Sequence, residues 1–166
     1  MKDENVIHAT LSKEGLFPKT DRYDRDFLVK DLDKKYKISY LNDIVYNPAN
    51  LKFGVITRNN YGTCIISPIY ITYEVNKNVD SRFIELFVTR KKFLNEIRRY
   101  EQGTVYERMA VNSEDFLSYE AKLPSLKNQR EIVSKIEFIN KKINQENVYL
   151  DLLKKQKQYL LSNMFI

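Results

Sequence analysis

Two kinds of hydrophobic pattern divide the chain. Up to Pro124, short β-branched and aromatic runs alternate with turn signals: Asp43-Ile44-Val45-Tyr46, Gly54-Val55-Ile56-Thr57, Thr63-Cys64-Ile65-Ile66 and Tyr70 to Val75 are bounded by Asn47-Pro48, Asn59-Asn60-Tyr61-Gly62 and Ser67-Pro68. Such residues suit a pleated, half-buried surface, so the runs predict a small, mostly antiparallel sheet. Asp80 or Ser81 stands at an N-cap position ahead of helical spacing in Phe83, Ile84, Phe87, Phe93, Leu94 and Ile97, closed by Gly103. A last strand is expected from Val105 to Val111, then a short helical turn from Glu114 to Leu117.

After Pro124 the period changes. All four glycines and all four prolines lie at or before this residue, and none follows. Pro124 disfavours helix in Leu123, and Ser125 can cap the backbone N–H groups that come next. Ile132, Ile136, Ile139, Ile143, Glu146, Leu150, Leu153, Lys157, Leu160 and Met164 then follow strict 4,3 spacing. This predicts a coiled-coil seam on a rod of roughly 50 to 60 Å, part of which must bury itself against another long helix. Glu146 and Lys157 interrupt the seam, and polar seam residues commonly set register at a cost in stability. The expected fold is therefore α+β, with a small mixed or antiparallel-sheet domain over residues 1–124 and one long C-terminal coiled-coil helix over 125–166.

Charge adds little to this division. Lys and Arg number 28 against 22 Asp and Glu, a net +6 that suits an anionic partner without identifying one. A single Cys64 excludes an internal disulfide, and with a lone His8 it leaves no Cys/His ligand set for zinc. Cys64 reads as a small buried hydrophobe and His8 as a surface residue. Four glycines leave no Gly-rich phosphate loop, and Tyr46-Asn47-Pro48-Ala49 lacks the second proline and the aromatic of an amino-methyltransferase turn, so it reads as the end of a strand. The carboxylates Asp21, Asp24, Asp26, Asp31 and Asp33 alternate with basic residues as in a solvated loop. No catalytic constellation, metal or cofactor is expected. Neither a signal peptide nor a run of 18 apolar residues is present, and the chain reads as cytoplasmic and independent of membranes.

Reading bases requires Arg, Lys, Asn and Gln on elements that reach groove edges, with basic and hydroxyl groups near phosphates. Three segments qualify: Lys19, Arg22, Tyr23 and Arg25; Arg58, Asn59, Asn60 and Tyr61 on an expected exposed turn; and Arg90, Lys91, Lys92, Arg98, Arg99 and Tyr100 on a helix. Each also has a plain reading as a solvated polar surface.

The ordered motifs Asn42-Asp43-Ile44-Val45-Tyr46-Asn47, Gly54, Gly62 with Ile66-Ser67-Pro68-Ile69-Tyr70, Gly103-Thr104-Val105, Leu123-Pro124-Ser125-Leu126 with Gln129 and Ile132, and Leu160 to Ile166 resemble the specificity subunit of type I restriction-modification enzymes. Asn128 departs from that pattern, which usually carries an acidic residue there. The resemblance implies a target recognition domain that reads one half of a split site in double-stranded DNA. It also implies a spacer helix that pairs antiparallel with a second one and docks the methyltransferase (modification) subunits, and through them the restriction subunits. Catalysis would belong to those partners. The chain has room for one recognition domain and one spacer helix where a complete subunit carries two of each, so a half-subunit that pairs as a symmetric homodimer is expected. The alternatives are a coiled-coil assembly protein that reads no DNA and an inactive fragment.

Overall fold

A computed structural model describes residues 7–19, 36–103 and 109–164. The described residues form an α+β fold, with two small sheets, three short helices and one long helix among them. The chain divides into two compact units between Leu126 and Lys127.

The first unit opens with a hairpin, β1 (Ile7–Ser12) and β2 (Gly15–Pro18), turning through Lys13-Glu14. The Ser12 hydroxyl accepts from the Glu14 backbone N–H at 3.1 Å and donates to its carboxylate at 2.7 Å. This hairpin and the edge strand β3 (Lys37–Ser39) were not expected from the sequence, because Ile-His-Ala-Thr-Leu-Ser alternates too weakly to stand out. With β6 (Cys64–Ile66) they make a four-stranded sheet in the order β2-β1-β6-β3, in which only the β1–β6 pair is parallel. The second sheet, β5-β4-β7, is antiparallel throughout, with β4 at Ile44–Tyr46, β5 at Ile56–Arg58 and β7 at Ile71–Tyr73.

Strand β4 joins two cores. Side chains alternate along a strand, and here Val45 packs with Ala9, Leu11, Leu16, Val55, Cys64, Ile66 and Tyr70, while Ile44 and Tyr46 pack with Leu51, Ile56, Val88, Phe93, Ile97 and Val111. All three β4 residues are buried. The Tyr46 hydroxyl donates to the carbonyls of Val111 at 3.3 Å and Asn112 at 3.1 Å, and its ring stacks on Phe116 with centroids 4.5 Å apart. After β4, the Asn47 side chain accepts from the Ala49 N–H at 3.1 Å, so Asn47-Pro48 is a strand-ending turn. A 3-10 turn at Leu51–Phe53 then ends at Gly54 with φ +82°, where a Cβ would be strained and would stand 3.4 Å from Leu94.

Helix α1 (Ser81–Val88) starts at Asp80, whose carboxylate accepts from the N–H groups of Arg82 at 3.0 Å and Phe83 at 3.2 Å. Burial would raise the Asp80 pKa, but these bonds and the Arg82 guanidinium outweigh it and hold the carboxyl below its usual value. The helical run expected to continue to Ile97 breaks instead at Thr89. The Thr89 hydroxyl donates to the Glu85 carbonyl at 2.7 Å, Arg90 turns extended, and α2 (Lys91–Ile97) begins anew, ending in a 3-10 turn at Arg98–Tyr100. Of the expected strand at 105–111, residues 104–108 lie outside the described residues, and the pattern seen is a single antiparallel bridge between Gln102 and Ala110. Helix α3 covers Ser113–Leu117, capped by the Asn112 side chain.

The second unit belongs to α4 (Leu126–Met164), 39 residues without a break, beginning directly after Ser125. Gln129 and Val133 in its first turns are buried, and Ile136 is half-buried. From Ile139 onward every described residue is exposed, including the seam residues Ile139, Ile143, Leu150, Leu153, Leu160 and Met164. Among the described residues no helix is long and apolar enough to cross a membrane.

Candidate nucleic-acid interface

The three segments expected to touch DNA have different fates. Of the first, Lys19 is exposed at the end of the hairpin, its backbone N–H donating to the His8 carbonyl at 2.7 Å, while Arg22, Tyr23 and Arg25 lie outside the described residues.

The second segment is corrected in part, because Asn59 is fully buried rather than presented on an exposed turn. Its amide nitrogen is shared between the Gly62 carbonyl at 2.8 Å, the Ser39 hydroxyl at 3.1 Å and the Cys64 sulfur at 3.3 Å, while its oxygen accepts from the Tyr61 N–H at 2.9 Å. A side chain so engaged builds the turn from within and cannot reach a base. Ser39 and Asp43 extend the network: the Asp43 carboxylate accepts from the Tyr40 N–H at 2.8 Å and the Thr72 hydroxyl at 3.2 Å, and that hydroxyl lies 3.3 Å from Ser39. Burial pushes the Cys64 thiol up, partly offset by the Asn59 hydrogen bond, so the sulfur stays protonated and acts as a small core group.

Arg58 is half-buried and held by two partners. Its Nε donates to Glu85 at 3.1 Å and its Nη1 to the Asn42 side chain at 2.8 Å; Asn42 itself adopts φ +75°. Glu85 also accepts from the Arg58 N–H at 3.1 Å and the Thr57 hydroxyl at 2.9 Å. The turn therefore leaves Asn60 and Tyr61 exposed as the groups able to meet a partner.

The third segment is assembled into one surface. Positions i, i+1, i+4, i+7 and i+8 share a helix face, and along α2 and its 3-10 extension these are Lys91, Lys92, Asn95, Arg98 and Arg99, all exposed. The opposite face buries Phe93 and Ile97. Glu96 borders the stripe, 3.9 Å from Lys92 and accepting from the Tyr119 hydroxyl at 2.5 Å, a bond that raises the Tyr119 pKa together with burial. Arg90 is exposed but oriented, its guanidinium 4.1 Å above the Phe87 ring and its Nε donating to the Phe87 carbonyl at 3.2 Å. The half-buried Tyr100 stands 6.2 Å from the Tyr119 ring and serves the core.

Asn95 was missed as a member of this surface, though its spacing from Lys91 and Arg99 was visible. Glu85 and Asn42 had no local signal, since they meet Arg58 from 27 and 16 positions away. The stripe offers positive charge and N–H donors at helical spacing, which suits the phosphate oxygens of a duplex backbone, and Asn95 can pair with a base edge. Among the described residues no group of three or more His, Cys, Asp or Glu stands together to hold a metal ion. Compared with known proteins, the chain matches no family model and no curated protein.

Proposed function

We propose that this chain is a DNA-specificity subunit of the type I restriction-modification kind, acting as a half-subunit whose first unit reads one half of a bipartite site. The observation that carries this reading is the exposed stripe Lys91, Lys92, Asn95, Arg98 and Arg99 along α2 and its 3-10 extension, four cations with one amide and no carboxylate among them. Asn60 and Tyr61, on the connection between β5 and β6, add exposed groups able to touch DNA. The exposed seam of α4 supports pairing with a second long helix.

A further observation favours partners beyond that helix. Phe138, Leu152 and Tyr159 are exposed at multiples of seven residues, with Gln145 filling the remaining position of the series, and lie outside the 4,3 seam. This second stripe stays open when the seam is paired and suits the docking of methyltransferase subunits, through which restriction subunits would join. In this role the protein works in the cytoplasm and performs no chemistry of its own.

The test is selection from a randomised duplex library by the purified chain, with modification subunits encoded in the same genome added. Enrichment of two short motifs at a fixed gap is the expected result. A folded dimer that retains no sequence over the input library would refute DNA reading and favour a coiled-coil assembly role, which the bare seam supports by itself.

A further inference from the structure

The two polar residues in the α4 seam define how it pairs. Glu146 and Lys157 are exposed, and among the described residues neither side chain has an ion pair or hydrogen bond within its own chain. In an antiparallel coiled coil each seam residue of one type faces one of the other type on its partner, so the pairing positions add to a constant, and only slips of seven residues keep the seams together. One register brings Glu146 opposite Lys157. The same register sets Leu150 against Leu153, Ile143 against Leu160 and Ile139 against Met164, so that every other seam pair is apolar on both sides.

The neighbouring registers lose this match. Sliding by seven residues in one direction sets Glu146 against Met164 and Lys157 against Leu153, and in the other direction sets Glu146 against Leu150 and Lys157 against Ile139. A parallel pair in register would stack Glu146 on Glu146 and Lys157 on Lys157. Each of these arrangements buries a charge against an apolar or like-charged group, which costs far more than an opposed pair.

From these relations we infer that α4 docks on a second copy of this chain, antiparallel, about a two-fold axis between Asp151 and Leu152, with Glu146 of each copy paired to Lys157 of the other. The overlap runs from Ile139 to Met164, roughly 40 Å of helix. Every seam residue in this stretch, from Ile139 to Met164, is exposed. The flanking positions agree: Tyr149 faces Gln156, Lys142 faces Asn163, Asn147 faces Lys154 and Asn140 faces Leu161, with no like charges opposed. The inference rests on the self-pairing part of the function proposed above and is independent of DNA reading.

Charge exchange and distance measurement test it on the full chain. E146K and K157E each oppose two like-charged pairs and should weaken the dimer about tenfold or more in Kd, whereas the double variant E146K/K157E should regain wild-type association by equilibrium sedimentation. Nitroxide labels placed by N140C, D151C and N163C provide the second measurement, with the native Cys64 buried away from label. The distance between copies should be shortest at 151, and equal at 140 and 163, where the two labels lie about 35 Å apart along the axis. A dimer with unequal distances at 140 and 163, or with 151 no shorter than the others, overturns this register while leaving self-pairing intact. A monomer at all concentrations overturns self-pairing as well, and the duplex selection then decides DNA reading separately.

Discussion

Arg58 and Glu85 are locked together at two points, the Glu85 carboxylate accepting from both the Nε and the backbone N–H of Arg58 at 3.1 Å. The pair is only partly solvated, with side-chain exposures of 15% for Arg58 and 24% for Glu85, so it ties the end of β5 to α1 more firmly than a surface pair would. We expect Glu85→Ala to cost about 1 to 3 kcal/mol by urea denaturation, because it takes the shared carboxylate from the Arg58 Nε, the Arg58 N–H and the Thr57 hydroxyl. Arg58→Ala should lower stability and leave sequence preference unchanged. A variant that keeps wild-type stability but alters the selected bases would assign Arg58 to readout instead.

Asn59 makes a sharper case. Its amide satisfies four groups from a fully buried position, and Asn59→Ala removes all four bonds at once. The expected loss is about 2 to 3 kcal/mol. The opening of the turn should also expose Cys64, so thiol labelling at pH 8 should be slow in the wild type and faster in the variant. Equal labelling rates in the two proteins would show that the turn is held by other means.

These two residues also mark where sequence reasoning stopped. Periodicity located β4, β6 and α4, because alternation and heptads are local properties that a window of a few residues carries. It also located the Asp80 cap, which depends on bonds two and three positions away. Arg58 and Asn59 looked identical to Asn60 and Tyr61, all being polar residues in a turn. What separated them was Glu85, Ser39 and Cys64, brought close only by the pairing of strands and the packing of α1. The break at Thr89 escaped for a related reason: helical spacing continues through it, and only the capping hydroxyl and the extended Arg90 reveal two helices.

Removing the α2 stripe should affect binding without affecting the fold. Lys91 and Lys92 stand in the first turn of a helix, where the dipole opposes positive charge, so replacing them relieves about as much as the loss of the exposed Lys92–Glu96 pair costs. With K91A/K92A or R98A/R99A, DNA affinity should fall for all sequences alike, and the slope of log affinity against log salt should drop by about 1 for each phosphate that is no longer neutralised. Unaltered affinity at low salt would remove the stripe from the interface.

Alkaline titration reaches the second core directly. Burial, chiefly, pushes the Tyr46 phenol far above its usual range, with Tyr73 and Asp115 nearby acting in the same direction, while Tyr119 is raised first by its bond to Glu96. A phenol whose pKa is higher in the folded state than in the unfolded one stabilises the fold fully below the unfolded value of about 10, and that contribution is lost as pH rises through the folded value. Ultraviolet absorbance should therefore show delayed ionisation from Tyr46 and Tyr119, that of the buried Tyr46 appearing together with unfolding. Tyr46→Phe should cost about 1 kcal/mol for the missing bonds to Val111 and Asn112, keep the stack on Phe116, and remove part of the delayed amplitude. If the amplitude is unchanged in that variant, Tyr46 ionises without opening the core, and the tight packing of β4 against α3 is wrong.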